Sequence, residues 1–242
     1  MVMLDGDVVI LAGATGRVGG ATLAALHAGG AQLVVVSRSK EHAQEAIRGL
    51  DRAKAKVADL ADPAATERLA GEVRAEYGRI DAVVNLAGRG KFVAITESTL
   101  DDLRFNLDGF VVPAYNLSVA ALRHMLAQPY RAGRRSRGHI VTVSAGSSRD
   151  PQPRFGLFGA SKAAVNTLMR AIAREHKADG IVANAVVLGG VATGAARSYL
   201  SPEDFERAAS PEEVAHVLAF LASSLSDGIN GELVDLNARE VD

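Results

Sequence analysis

The chain has 242 residues, 48% hydrophobic and 23% charged, a globular balance that excludes a disordered or fibrous protein. With 27 Lys+Arg against 28 Asp+Glu the formal net charge is −1, which gives no support to a nucleic-acid or anionic-membrane partner. The absence of cysteine excludes disulfides, thiolate catalysis and Cys-ligated metals. Residues 1–7 show no basic stretch leading into an apolar core, so no signal peptide is expected. No apolar run approaches the roughly 18 residues of a membrane span. The expectation is a soluble, cytoplasmic protein.

In chain order, β-branched runs at 8–12, 33–37, 56–58, 82–87, 139–144, 182–187 and 232–236 predict strands. Most are apolar on both faces, as strands are when helices cover both sides of a parallel sheet. Between them, alanine-rich stretches near 17–29, 40–49, 63–78, 99–129, 158–178 and 211–224 have helical period. Asp62-Pro63 and Ser210-Pro211 each supply an N-cap residue followed by a first-turn proline. The alternation predicts an α/β fold: one Rossmann-type, doubly wound parallel sheet, with residues 1–242 as a single domain. Ligands of such sheets bind beyond the strand carboxyl ends, and 190–209 follows one such end as the expected substrate lid.

The first strand runs into Gly13-Ala14-Thr15-Gly16-Arg17-Val18-Gly19. Glycines there permit a sharp turn and close approach of a pyrophosphate, and the next helix presents free N–H groups. The spacing is Gly-x-x-Gly-x-x-Gly, and its place after the first strand points to a dinucleotide. The second strand ends at Ser37-Arg38 with no carboxylate for a ribose 2′-hydroxyl. Arg38, helped by Arg17, is placed to meet a 2′-phosphate, so NADP(H) is favoured over NAD(H).

Further segments follow in order: Asp59-Leu60, Asn85-Leu86-Ala87-Gly88, Phe105-Asn106-Leu107-Asp108-Gly109, the strand ending Val143-Ser144, Gly159-Ala160-Ser161-Lys162, and Asn184 through Leu188-Gly189. Together they resemble the short-chain dehydrogenase/reductase family over nearly the whole chain. The resemblance implies cofactor contacts at Asp59, Leu60, Asn85, Ala87, Gly88, Leu188, Gly189, Val191 and Thr193, and a homodimer or homotetramer built on the two long helices. It also implies a catalytic role for Asn106 and for Lys162, which holds the nicotinamide ribose. The family's catalytic tyrosine falls on Phe158. Its serine falls on Ala145, 13 residues earlier. Each replacement deletes a hydroxyl, so the proton donor and the alkoxide donor are both missing.

Ser144 should face the other side of the sheet, while Ser147 and Ser148 lie in the following loop as stand-ins. Ser147, Phe155 and Tyr199 are the candidate pocket residues, and the lid's Ala195, Ala196, Tyr199 and Leu200 suggest an apolar small-molecule substrate. Three readings remain: an NADP(H)-dependent ketoreductase site silenced by engineering at two positions, a natural reductase of imines or enones working without the tyrosine, and a non-catalytic NADP(H)-binding scaffold or sensor. The six histidines show no ligand spacing, so no metal is expected. The four arginines of 131–137 read as a solvated loop.

Overall fold

The computed structural model describes residues 4–198 and 200–236. Seven parallel strands form one sheet: β1 (Val8–Ala12), β2 (Gln32–Ser37), β3 (Ala53–Val57), β4 (Ala82–Asn85), β5 (Gly138–Ala145), β6 (Ile181–Leu188) and β7 (Leu233–Leu236). Their order is β3-β2-β1-β4-β5-β6-β7, so the chain reverses its direction of travel across the sheet between β1 and β4.

Side-chain alternation divides each strand between two apolar layers. Val8, Ile10 and Ala12 of β1 pack with α3 (Pro63–Tyr77), α5 (Val112–Ala127) and α6 (Gly156–Glu175). Val9 and Leu11 pack with α1 (Arg17–Ala28) and α8 (Pro211–Leu221) on the opposite face. Both faces of β1 are therefore buried, which is why its sequence lacks polar alternation.

Both predicted N-caps form. Asp62 accepts from Ala64 N at 2.8 Å, and Ser210 with Glu213 makes a reciprocal capping box. Several boundaries differ from expectation, three of them for a visible reason. The third strand is 53–57, not 56–58, because it lies at the sheet edge and its polar side is satisfied by α3: Lys54 pairs with Glu76, and Lys56 with Glu72 at 2.9 Å. The fourth strand stops at Asn85, whose Oδ1 accepts from Ala87 N at 3.0 Å and turns the chain.

The helix expected over 99–129 is divided into α4 (Leu100–Asn106), a π turn (Leu107–Val111) and α5. Pro113 has no N–H to give to Gly109 O, and that carbonyl instead accepts from Arg89 N at 3.3 Å. A short helix over the lid, α7 (Pro202–Arg207), carries no long apolar period and escaped the sequence reading.

The arginine run is also corrected. Arg131 and Arg134 bind the buried carboxylate of Asp7, and Arg137 donates to Leu126 O at 2.7 Å and stacks on Tyr130. The strand ends here leave Asp7 and Asp81 buried together; the loop's Arg131 and Arg134 pair with Asp7, and Arg79 pairs with Asp81 at 2.7 Å with Arg131 farther off at 3.6 Å.

Candidate functional site

The cleft opens where the strand order reverses, beyond the carboxyl ends of β1, β2 and β4. Gly13 has φ +89°, and a Cβ there would lie 2.7 Å from Ala87 N. At Gly19 a Cβ would meet Gly13 O at 2.0 Å, so the helix can start this close to the turn only without a side chain. Gly16 faces open space, and no side chain caps α1. The first N–H groups of α1 are thus left for an external anion.

Two cavities flank this turn. One, of about 380 Å³, is lined by Gly13, Thr15, Gly16, Ser37, Arg38, Asp59, Leu60, Ala87 and Gly88, with Arg89 and Asp108 on its far wall. Asn116 reaches across to donate to Leu60 O at 2.9 Å, which holds the 59–60 loop against α5. Arg38 is exposed and makes no hydrogen bond or ion pair among the described residues. The other cavity, of about 810 Å³, is lined by Gly13, Gly16, Arg17, Val18, Gly19, Val143, Leu188, Thr193, Arg197 and Phe205. Thr193, Arg197 and Phe205 of the 190–209 segment form one side of it, and the segment is tied down by Ala192 N to Ala209 O at 2.9 Å.

Beside these cavities stands a cluster of four phenylalanines. Phe158, near the start of α6, lies edge-on to Phe110 at 5.1 Å, to Phe92 at 5.3 Å and to Phe155 at 6.0 Å between ring centres. One turn on, the Lys162 Nζ donates to Val143 O at 2.8 Å and sits 4.5 Å from the Phe110 ring centre. Burial holds the Lys162 ammonium down to about 8. Asn106 is fully buried before the π turn. Its amide accepts from Lys91 N at 3.3 Å and donates to Asp102 O at 2.9 Å.

Among the described residues, three of the serines near Phe158 and Ala145 have partners of their own. Ser144 is buried and points to Lys162 O, on the face away from Ala145, as alternation requires. Ser161 donates to Leu157 O, and Ser148 accepts from Asn166 Nδ2 at 2.9 Å. Ser147 Oγ is buried and has no hydrogen-bond partner. Tyr199 lies outside the described residues.

The family profile for short chain dehydrogenase matches residues 7–204. The chain belongs to that family. Similar to it is a meso-2,3-butanediol dehydrogenase of Serratia marcescens, 32% identical across 94% of this chain and 91% of the relative. A short chain dehydrogenase structure from Mycobacterium smegmatis superposes with a TM-score of 0.85 at 27% identity, covering 100% of this chain and 95% of that one. A 7α-hydroxysteroid dehydrogenase, complexed with NADH and 7-oxo glycochenodeoxycholic acid, shares the fold at TM-score 0.87 and 22% identity, over 100% and 98% of the two chains.

The family's oxidoreductases use a nicotinamide dinucleotide, and the cradle fits one: a glycine turn with no room for a Cβ at Gly13 or Gly19, an uncapped helix start and an arginine at the rim with no partner among the described residues. Most expected contact residues line the two cavities. Asn85 stands behind Ala87 as its turn partner, Gly189 donates to Leu236 O, and Val191 is buried in a bridge to Ala209. Asn106, Ala145, Ser147, Phe155, Phe158 and Lys162 adjoin the cavities without lining them. Sequence reasoning missed Arg89, Phe110 and Phe92, and named Gly109 only as the end of the Asn106 segment. Gly109 carried a readable signal, since it lies three residues past Asn106 and a Cβ on it would strike Arg89 O.

Proposed function

We propose that the chain is an NADP(H)-dependent oxidoreductase that delivers hydride to an imine or enone, with ordinary ketone reduction strongly impaired. The observation that carries this reading is Phe158 at the family's tyrosine position, packed among three other phenylalanines with no hydroxyl in its place. Reduced nicotinamide, when bound, supplies the hydride. Ketone reduction leaves an alkoxide that needs a donor and a proton. Ala145 and Phe158 offer neither, which costs about 10³-fold or more. An imine that enters already protonated as the iminium needs only the hydride to become a neutral amine, and an enone needs in addition a proton from solvent water for the enolate that hydride addition leaves, so this chain's residues need only bind and orient the substrate.

Lys162, retained with its face toward Val143 and Phe110, keeps a cation for the nicotinamide ribose. The unpartnered Arg38 and the absence of a carboxylate at the end of β2 support a 2′-phosphate, hence NADP(H) over NAD(H). The cluster of four phenylalanines supports a small apolar substrate. The half-exposed Tyr115 on α5, together with the family's habit of pairing through these helices, supports a homodimer or homotetramer.

A second reading is favoured by the closeness of the rings over Phe158: a non-catalytic NADP(H)-binding scaffold or sensor. NADPH oxidation by the chain as it stands, measured beside A145S/F158Y with ketones, enones and cyclic imines, separates the readings. Turnover of imines or enones by the unaltered chain supports the first. Ketone turnover by the double variant alone points to a silenced ketoreductase site. Tight NADPH binding with no turnover by either leaves the scaffold.

A further inference from the structure

Phe92 stands in the loop between β4 and α4 and carries no motif. It is nevertheless the ring that closes the space above Phe158. Its centre lies 4.6 Å from that of Phe155 with the planes inclined by 37°, so the two rings stand nearly side by side. The pair sits directly over Phe158, which in turn meets Phe110. Phe110 leans on Gly88, where a Cβ would come within 2.4 Å of its ring, and Gly88 is part of the cofactor cleft wall. The aromatic surface therefore begins at the cleft and runs outward.

Phe92 remains 47% exposed and Ile95 63%. Ile95 lies against the start of α6, where a Cβ on Gly156 would meet its Cδ1 at 2.9 Å. This leaves an apolar strip of Phe92 and Ile95 facing solvent beside the phenylalanine cluster, which reaches the cleft wall through Phe110 and Gly88. The strip is also held rigidly. Asn106 grips both backbone groups of Lys91, the Lys91 ammonium binds Asp102 at 2.8 Å, and Arg154 Nη2 donates to Phe92 O at 3.4 Å. Gly90 leaves no room for a Cβ, since one would lie 2.5 Å from Asn106 Oδ1.

We propose that Phe92 and Phe155 form a fixed aromatic wall selecting planar, conjugated ring substrates, and that Phe92 sets this selectivity. The inference rests on the hydride-transfer reading and names the substrate class within it. A fixed pair of rings gains stacking and edge contacts from a flat partner that a puckered ring of equal size cannot make. Because the loop is already ordered, little of that gain is lost in arranging it.

The test uses the intact protein saturated with NADP⁺ and two neutral ketones of one skeleton, acetophenone and cyclohexyl methyl ketone. Binding is read by calorimetry, so no turnover is needed. Acetophenone is expected to bind about threefold to tenfold more tightly. F92L, apolar but not aromatic, is expected to remove that preference while NADP⁺ affinity and Tm hold, and F92A to do the same. Equal affinity for the two ketones, no binding of either up to their solubility, or a preference surviving in both variants overturns the proposal. A preference without turnover of any imine or enone keeps the wall and removes the hydride-transfer reading. Turnover without a preference does the reverse.

Discussion

The Lys162 Nζ sits 4.5 Å from the centre of the Phe110 ring, with the Val143 carbonyl at 2.8 Å as its hydrogen-bond acceptor. A buried ammonium with one carbonyl and two aromatic rings for company is costly in its charged form. Burial accordingly brings it from 10.5 to about 8. Below about 8 the ammonium is charged in both the folded and unfolded chain, and its burial cost is fully present. Between about 8 and 10.5 the unfolded chain holds more protons, so this residue's contribution to stability rises with pH. The whole effect is about 3 kcal/mol at most. K162M should therefore be more stable than the parent at pH 7, with the gap narrowing by pH 9.5 in chemical denaturation, and should bind NADPH more weakly. A gap that does not change with pH would show that the ammonium is not desolvated.

Restoring both hydroxyls should convert the site. A145S/F158Y is expected to raise ketone reduction by about 10³-fold over the parent, and each single change by much less, because the two groups act as a unit. Steady-state NADPH oxidation with a ketone panel measures it. Equal rates for parent and double variant would mean that another group already supplies the proton.

Arg38 should decide cofactor choice. Charge-assisted bonds to a phosphate contribute about 1.5–3 kcal/mol, so R38A should weaken NADPH binding by about 10- to 100-fold while leaving NADH nearly unchanged. Fluorescence titration with both cofactors reads this. A parallel loss for both would place Arg38 elsewhere than at the 2′-phosphate.

At the opposite end of the sheet, Asp7 is 1% exposed and held by Arg131 and Arg134. Burial raises its carboxyl above 3.8, with nearby Asp81 adding to the rise and the two arginines opposing it. R134A takes away part of that opposition, which raises the folded carboxyl further. Protonation then favours the folded chain, and the variant's deficit should grow as pH rises through the folded value. A loss of about 2 kcal/mol is expected at pH 7, shrinking toward pH 4 in urea unfolding. A deficit that is larger in acid would contradict the pairing.

Local chemistry made the frame legible. Strand runs apolar on both faces can only be covered on both sides, and Asp62-Pro63 and Ser210-Pro211 start helices because each side chain caps free N–H groups and each proline fits the first turn. The glycine turn after β1 could be read because a missing Cβ is itself the functional feature. The order of the motifs even located Phe158 and Ala145 on the expected elements, at the start of α6 and the end of β5.

What a ring or a cation touches depends on segments far apart in the chain, and no periodicity encodes it. Phe92, Phe110 and Phe158 come from three separate elements and meet only when the sheet brings the β4 and β5 ends together. The 131–137 arginines read as solvated until folding placed buried Asp7 and Asp81 beside them. The break in the 99–129 helix likewise depended on Arg89 N arriving to take the carbonyl that Pro113 cannot use. Short-range sterics and burial pattern made most strands, helices and the glycine turn legible in the sequence. The tertiary structure decided which polar groups found partners, because desolvation is set by what packs against a residue rather than by its neighbours in the chain.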